Sequence, residues 1–580
     1  INAAQNVTIE ENTITGNGGP GIHVAAPGAV RSFSFLTNQL RTNGGGGILF
    51  TNGGAVDDVV MNNNALETNG GPALGFALAG SVRRLSVRNA RITGNALGIA
   101  FAAPTADVEE FELSGSTIQG NGGFGLTFAN GGRVLGLTVS GNTISGHTVD
   151  NIAFGNALVA DSRFENNTIE SAGGNGVNFA NAGAVEDTVF DNNTIQRNGT
   201  NGVLFFNTGD IDSVQILNSR LRNNGLHNLF VNHLPPCCDF PVTRLTIEGG
   251  VIDQAADNGI RIVTALASID FVRLTNVQIG KNGGMGVCLR TNAGSMGDIE
   301  FSQVTARENQ GGAGTTACDA TPAAIGSGAE LITLTGNIGP VTVSESTFAN
   351  NGAFGLRVDS LGPAAGDVGP VTIEGSKFEQ NGTRAPAGLG SGLILRGRNV
   401  HDISINPTTA SNNNDHGIDI QAASDISNVS ITGGEFSNND RNVDTVGAGI
   451  AISATQRLSG LRVTGAKLMS NSQGARVQAD RASDNHINQC EIADNRRAGV
   501  EASITSGDPV DATNNYWGSP SGPSAPNGCT GQANCTPFLS APPGGPTPPT
   551  PPTPPTPPTP PTPPTPPAGG FAACAAGADN

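Results

Sequence analysis

Charged and aromatic side chains are scarce in this sequence. Only 13% of its 580 residues are charged, and tryptophan and tyrosine occur once each. Methionine is also rare, with four residues, which argues against ordinary helix-rich domains. Proteins that hold sugars commonly stack a tryptophan or tyrosine against the sugar ring, because one face of such a ring is apolar. The shortage therefore argues against a polysaccharide-cleaving enzyme and against a lectin.

Long apolar runs and basic clusters are absent as well. No run of about 18 or more apolar residues occurs, so the sequence predicts no membrane span. The formal net charge is −18, from 30 basic and 48 acidic residues. Lysine and arginine do not cluster as binding to a phosphate backbone requires, so we expect no nucleic-acid partner. The acidic balance favours solubility.

The eight cysteines include no Cys-x-x-Cys pair. A zinc ribbon or thioredoxin-like site therefore has no support, and the sequence predicts no metal site and no cofactor. Cys529 and Cys535 lie in the Gly/Asn-rich segment NGCTGQANC. A short closed loop of this kind favours a disulfide between them, although free thiols are the alternative.

One template recurs along almost the whole chain: V-x-I-x-x-N-x-I-x-x-N-G-x-x-G-I-x-V. Its first copy is VTIEENTITGNGGPGIHV, residues 7–24. The residue before the last apolar pair marks each copy, and these marks fall at Gly21, Gly47, Gly75, Gly98, Gly125, Asn151, Gly176, Gly202, Asn228, Gly259, Gly286, Gly355, Gly392, Gly417, Gly449, Gly474 and Gly499. About eighteen copies fit in the chain, at a period typical of solenoid proteins.

Within each copy, apolar and polar residues alternate, as in a β-strand with one buried face. The strands are too short to pair as hairpins across their Asn/Gly turns. Equivalent strands of successive copies are better partners, because they can stack about 4.8 Å apart. The sequence therefore predicts an all-β parallel β-helix with three short strands per coil, about 18 coils and a length of roughly 85 Å.

Two asparagine columns and one phenylalanine column are in register with the apolar pattern. Asparagine tolerates left-handed backbone, and its amide can both donate to and accept from the next coil. The first asparagine column holds Asn17, Asn43, Asn121, Asn198, Asn224, Asn282, Asn351 and Asn495, and the second holds Asn12, Asn38, Asn64, Asn142, Asn167, Asn193 and Asn276. A stack of rings inside the solenoid is predicted for Phe50, Phe101, Phe128, Phe154, Phe179 and Phe205.

The pattern resembles the right-handed parallel β-helix proteins of the pectate-lyase-like superfamily, over residues 1 to about 517. The segment VDATNNYWGSPSGP, residues 510–523, is similar to the ending of many secreted bacterial members. The resemblance implies that Asn514 and Asn515 join the asparagine column, and that Tyr516 and Trp517 fill the core of the last coil. It also implies an extracellular or cell-surface location in a bacterium.

The sequence divides into four predicted segments. Residues 1–517 form the parallel β-helix, and residues 518–545 form a cap or tail. Residues 546–567 repeat proline and threonine as a polyproline-II linker, and residues 568–580 form a disordered tail. The chain opens at Ile1 in the middle of a repeat, which predicts a processed or truncated N-terminus.

Catalysis on such a fold would use outward-facing residues of one sheet. The outward position between the last two apolar residues of each copy is predicted to hold His23, Leu49, Ala77, Ala100, Thr127, Ala153, Asn178, Leu204, Phe230, Arg261, Cys288, Arg357, Ile394, Asp419, Ala451, Arg476 and Glu501. The first half of this column carries no acid–base groups. The irregular stretches 291–340 and 359–390 are where longer insertions would build specificity.

The best local cluster of chemical groups is Asp415, His416 and Asp419, in NNNDHGIDI. Either aspartate could act as a general acid or base beside the histidine. The alternative is that two turn residues and one outward aspartate have no catalytic role. A second cysteine pair, Cys288 and Cys318, falls on neighbouring predicted coils, where a Cα separation of about 5.5 Å would fit a disulfide.

The leading hypothesis is a secreted or cell-surface structural or adhesive β-helix without an assembled catalytic site. Its expected partner is a polysaccharide or another cell-surface component. The alternative is a polysaccharide lyase, hydrolase or epimerase that acts on an outward sheet face. Outward Asp, Lys and Arg converging over two or three coils would favour this alternative. A phage tail-spike or autotransporter passenger is a third hypothesis, although no trimerisation segment or translocator follows.

Overall fold

The structure is a computed structural model that describes residues 4–544, except 79, 103–104, 181–182, 207–208, 234–239, 312–317, 319–325, 363, 386–388 and 442–446. The chain divides into two units after Pro543, and the account below concerns the first unit. Its described residues form strands but no helix. The predicted linker 546–567, the predicted tail 568–580, and Cys237 and Cys238 lie outside the described residues.

The strands form three ladders, called here the first, second and third sheets in the order in which each coil visits them. The first sheet contains Ala4–Glu10, Val30–Leu36, Val56–Asn62, Val82–Arg88, Val108–Ser114, Arg133–Leu135, Thr138–Ser140, Leu158–Ala160, Arg163–Glu165, Ala184–Glu186, Val189–Asp191, Ile211–Asp212, Val214–Leu217, Leu245–Glu248, Ile269–Thr275, Met296–Ser302, Val341–Ser344, Val371–Glu374, Val400–Ile405, Asp425–Thr432, Arg457–Thr464, His486–Asn488, Val510–Asp511 and Ala533–Asn534.

The second sheet is built from the shortest and most uniform strands. They are Thr13–Thr15, Gln39–Arg41, Ala65–Glu67, Arg91–Thr93, Thr117–Gln119, Thr143–Ser145, Thr168–Glu170, Thr194–Gln196, Arg220–Arg222, Val251–Asp253, Gln278–Gly280, Thr305–Arg307, Thr347–Ala349, Lys377–Glu379, Thr409–Ser411, Glu435–Ser437, Lys467–Met469 and Glu491–Ala493. All their pairings are parallel, one coil to the next.

The third sheet completes each coil. It contains Pro20–Val24, Gly46–Phe50, Pro72–Phe76, Leu97–Phe101, Leu126–Phe128, Ile152–Phe154, Val177–Ala180, Val203–Phe206, Leu229–His233, Ile260–Thr264, Val287–Thr291, Ala329–Thr333, Leu356–Ser360, Leu393–Gly397, Ile418–Ala422, Ala448–Ala454, Gln473–Ser483, Ala498–Gly507 and Cys529–Gly531. The strands Gln473–Ser483 and Ala498–Gly507 run on into the first sheet and pair there too.

The number of coils follows from the second sheet. It has 18 strands, and Tyr516 adds a parallel bridge to Glu491 after the last of them. The solenoid therefore has about 19 coils, each crossing three sheets. The predicted fold class, an all-β parallel β-helix with three short strands per coil and about 18 coils, is confirmed.

Phenylalanine rings stack along the inside of the third sheet, as predicted. Neighbouring ring centroids are 4.7–4.9 Å apart and nearly parallel from Phe50 to Phe205. The stack includes Phe76, which the predicted column omitted. Because the rings repeat at the spacing of paired strands, the backbone ladder itself holds them in contact. Each ring is almost fully buried.

The first asparagine column forms a hydrogen-bonded ladder inside the turn between the second and third sheets. The backbone N–H of Asn95 donates to Oδ1 of Asn121 over 2.9 Å, and its Nδ2 donates to the Leu66 carbonyl oxygen over 2.8 Å. The same pattern recurs along the ladder as far as Asn495 and Asn527. These amides satisfy buried turn groups that the strands leave unpaired.

A residue in the left-handed backbone region precedes most positions of the two asparagine columns and turns the corner. In one coil these residues are Asn63, with φ 55°, and Thr68, with φ 51°. Asn276, with φ 53°, occupies this corner position, and Val277 takes the ladder position. The assignment of Asn276 to the second asparagine column was therefore wrong, because asparagine suits either position.

The strand pairing continues past residue 517, where sequence analysis placed the end of the β-helix. Cys529–Gly531 pairs with the strand Ala498–Gly507, and Asn527 extends the ladder. Trp517 is buried in the core of this last part, whereas Tyr516 is half-buried. A Cβ on Gly499 would lie 2.5 Å from the Trp517 ring, so the indole needs glycine beneath it.

A histidine, His147, interrupts the ladder after Asn121. Its Nδ1 accepts the Asn121 N–H over 3.2 Å, and its Nε2 faces the Ile118 carbonyl oxygen at 3.2 Å. These partners require a neutral ring protonated on Nε2. Burial lowers the pKa of His147 to about 4, because a charged imidazole would lose its water there.

Acid should destabilise the protein through His147, and His147→Asn should relieve the effect. Below pH 6.5 the histidine becomes protonated in the unfolded chain, whereas in the folded protein it stays neutral down to about pH 4. The stability that the neutral histidine contributes is therefore fully present above pH 6.5. About 3 kcal/mol of it is lost as the pH falls from 6.5 to 4. Between pH 7 and pH 4, the free energy of unfolding measured in urea should fall by about 3 kcal/mol less in the variant than in the wild type. An equal loss in both proteins would contradict this, and His23→Asn, at an exposed site, is the control.

Candidate functional site

The outer face of the third sheet carries acidic and basic residues of the kind that catalysis on such a fold would use. Strand register places Cys288, Glu330, Arg357, Ile394 and Asp419 in one outward column. Two residues further along each strand, a second outward column holds Arg290, Ile332, Asp359, Arg396 and Gln421. Charged groups of four consecutive coils therefore face the same way.

Two positions of the predicted outward column need correction. Gly75, and not Ala77, pairs with Leu49, because Leu74 and Phe76 take the two inward positions. Glu330 was missing from the column, and it lies between Cys288 and Arg357. The alternation in AELIT, residues 329–333, was the sequence signal that could have placed it.

Six side chains form what we call the outer polar cluster: Glu330, Arg357, Asp359, Arg396, Asp419 and Gln421. Arg357 reaches Glu330 at 3.5 Å and Asp359 at 3.0 Å. Arg396 contacts the same Asp359 oxygen at 3.3 Å and donates from Nε to Gln421 over 3.1 Å. Gln421 in turn donates to Asp419 over 2.7 Å. One chain of contacts thus crosses four coils.

The centre of the outer polar cluster is buried although it lies outside the solenoid core. Glu330, Arg357 and Asp359 are 2%, 9% and 0% exposed. Phe354 packs beside them, with the Arg357 guanidinium 5.6 Å from its ring centre, and forms a small apolar cluster with Ala353 and Ile394. Buried charges of this kind persist only when opposite charges and hydrogen bonds replace water.

Arg396 and Gln421 form the accessible edge of the outer polar cluster. The Arg396 side chain is 35% exposed, and Gln421 is half-buried. Arg396 contacts Asp359 through Nη1 and Gln421 through Nε. This leaves a guanidinium edge, held by two neighbours, at the surface of the sheet.

The predicted cluster of Asp415, His416 and Asp419 divides into two parts. Nε2 of His416 lies 3.6 Å from Asp415, whereas Asp419 belongs to the outer polar cluster. Nδ1 of His416 accepts the Ala448 N–H over 2.8 Å, so the ring's one lone pair is already used. A histidine in this state cannot accept a substrate proton, which favours a turn-forming role.

Two disulfides are present among the described residues. Cys288 and Cys318 are joined with a Cα separation of 5.5 Å, and Cys529 and Cys535 with 6.3 Å. The first bond lies on the outer face of the third sheet, beside Met285 and Ile332. It ties the insertion before Glu330 to the strand Val287–Thr291. Cys490 is a free thiol in the core, and burial raises its pKa to about 12.

The described part of the chain offers neither a metal site nor a membrane-spanning helix. No three His, Cys, Asp or Glu side chains there are grouped as a metal ion requires. Nor does that part contain a helix with the length and apolar content needed to cross a bilayer.

The fold and the outer polar cluster define a β-helix protein with charged groups assembled on one sheet. The chain belongs to the right-handed β-helix region family, whose model matches residues 1–92, 105–273 and 365–522. The unmatched stretch 274–364 contains Glu330, Arg357 and Asp359, so half of the outer polar cluster lies outside the family pattern.

Comparisons with individual proteins add little. No curated protein matches the chain. Among solved structures, a mutant of the PL6 family alginate lyase AlyGC is similar at a TM-score of 0.20 and 10% identity. That match covers 92% of this chain and 97% of the other. We draw no argument from a likeness at this score.

Proposed function

We propose that this chain is a secreted or cell-surface β-helix of the structural or adhesive kind, which binds a polysaccharide or similar surface polymer without cleaving it. The burial of the outer polar cluster supports this most. A catalytic acid or base must come within hydrogen-bond distance of a substrate proton. Glu330 and Asp359 are instead enclosed and held by Arg357.

Three further features support the proposal. Disulfides persist in oxidising compartments outside the cytosol, and two lie among the described residues. The ending around Trp517 is similar to that of secreted bacterial β-helix proteins. The acceptor nitrogen of His416 is occupied by a backbone N–H, which removes the best histidine base near the outer polar cluster.

Binding should be visible as retention of the chain on insoluble acidic and neutral polysaccharides. We expect at least one polysaccharide to sediment the protein without being degraded. Arg396→Gln should weaken this retention severalfold, because it removes the accessible cation of the outer polar cluster. Arg163→Gln removes an arginine of the first sheet whose side chain is still more exposed, 60% against 35%, and is the control. Failure of every polysaccharide to retain the protein would contradict the proposal.

A polysaccharide lyase, hydrolase or epimerase is the second candidate. The observation in its favour is that three carboxylates and two guanidinium groups converge over four consecutive coils. Under this alternative, Arg396 would hold an anionic substrate, and Asp419 would be the carboxylate on the coil that follows. Release of new chain ends from a polysaccharide would then be lost in both Arg396→Gln and Asp419→Asn.

A further inference from the structure

A cavity of ≈ 190 Å³ lies on the outer face of the second sheet, away from the outer polar cluster. Its lining includes the side chains of Asp253, Gln278, Lys281, Thr305 and Arg307. Three consecutive coils contribute to it. A small concave site with several converging polar groups is the usual form of a ligand site.

The cavity exists because of one glycine. Register places Asp253, Gly280 and Arg307 in the same outward column. The missing side chain of Gly280 leaves a gap between an acidic and a basic residue. A Cβ at Gly280 would lie 2.6 Å from the Arg307 carbonyl oxygen, so the ladder itself forbids a side chain there. Rigid strand pairing therefore maintains the gap.

The positive groups at the cavity have no acidic partner among the described residues. Most arginines on the outer faces of the three sheets pair with a carboxylate, as Arg222 does with Asp253 at 3.5 Å. Lys281 and Arg307 form no such ion pair with any described residue. Lys281 follows Gly280 with φ 57°, and its N–H donates to the Arg307 carbonyl oxygen over 3.1 Å. Both cations therefore lie at one cavity, outside any ion pair with a described residue, and are available to a ligand.

Asp253, Gln278 and Thr305 add groups that suit hydroxyls. One Asp253 oxygen, Oδ1, is buried without a hydrogen-bond donor, although Arg222 lies near it. Burial also raises the pKa of the Asp253 carboxyl. An amide and a threonine hydroxyl lie on the adjacent coils. The cavity therefore offers two cations together with hydrogen-bonding groups from three coils.

We infer that this cavity binds a small hydroxylated ligand that carries an oxyanion. Lys281 and Arg307 bind the oxyanion, and Asp253, Gln278 and Thr305 accept from or donate to the hydroxyls. Arginine and lysine recognise carboxylate, sulfate and phosphate by the same charge-assisted hydrogen bonds. The site is on another sheet from the one proposed above to meet a polysaccharide, and it stands independently of that proposal.

Calorimetric titration of the full chain tests this inference, with inorganic phosphate, inorganic sulfate, glucuronate and glucose as probes. We expect saturable binding of at least one anion, and at least tenfold weaker binding by the double variant Lys281→Gln/Arg307→Gln. Lys377→Gln changes an exposed lysine two coils further along the same sheet and should bind as the wild type does. Both mutated side chains are exposed, so the unfolding midpoint should not change.

The outcomes separate clearly. Glucuronate at least tenfold tighter than phosphate or sulfate supports a hydroxylated anion, whereas equal or tighter binding of the inorganic anions overturns the proposed hydroxyl contacts. Absence of saturable anion binding overturns the site. If Lys377→Gln weakens anion binding as much as the double variant does, the attraction is a general charge effect and the proposal is overturned. Equal binding of glucose and glucuronate also overturns it.

Discussion

Phe128→Ala is expected to destabilise the solenoid by about 3–5 kcal/mol, the usual cost of emptying a buried phenylalanine site. The ring stacks on Phe101 and on Phe154, at 4.9 Å each. Because the spacing is set by strand pairing, the neighbours cannot move together to fill the gap. In a solenoid each coil is stabilised mainly by its neighbours, so the loss falls on the coils beside the mutation. Urea unfolding followed by circular dichroism measures it.

The matched control for Phe128→Ala is Phe240→Ala. Phe240 is 39% exposed and lies outside the stack, so its loss should cost well under about 1 kcal/mol. Similar unfolding curves for the two variants would contradict the stacked core. A separate early transition in Phe128→Ala alone would show that the coils around it unfold before the rest.

Arg357→Met should lower the free energy of unfolding by about 3–5 kcal/mol, as much as the loss of a core phenylalanine ring. The substitution keeps the bulk of the side chain but removes the cation that faces both Glu330 and Asp359. Those two carboxylates are almost inaccessible to water, so losing this cation leaves their charges less well compensated, although Arg396 still contacts Asp359 at 3.3 Å.

A triple variant separates the charge effect from packing. Glu330→Gln/Arg357→Met/Asp359→Asn replaces the ionic centre by neutral groups of similar size. It should recover most of the stability lost in Arg357→Met, because replacing a whole buried ionic group is often close to neutral. If the triple variant is less stable than Arg357→Met at neutral pH, the assignment of the loss to uncompensated charge is wrong.

The regular part of the fold was predictable because the repeat encodes it several times per coil. Phe128 and Phe154, for example, fall one period apart, and each sits beside a strand signal and an asparagine turn. Errors arose where two positions accept the same residue type. Asn276 suits both a left-handed corner and the ladder, and Gly75 resembles the glycine that marks other copies. Only strand register distinguishes these positions.

The outer polar cluster was much harder to predict. Glu330 follows an insertion in its coil. Because of this insertion, Thr305 and its strand partner Thr347 are 42 residues apart, whereas equivalent residues of most neighbouring coils are about 26 apart. The contact between Arg357 and Asp359 is local, but that of Arg396 with Asp359 spans 37 residues. Nothing in the sequence predicted the cavity beside Gly280, because the cavity forms where a column of outward side chains is interrupted by a glycine.

Product release from polysaccharides tests the central claim, that this β-helix binds a polymer without cleaving it, most directly. Purified chain is incubated with acidic and neutral polysaccharides, and unsaturated products and new reducing ends are followed over time. We predict no rise above a protein-free control for any polysaccharide, including those that retain the chain. A rise that Asp419→Asn and Arg396→Gln abolish, while Arg163→Gln preserves it, would contradict the claim and identify an enzyme.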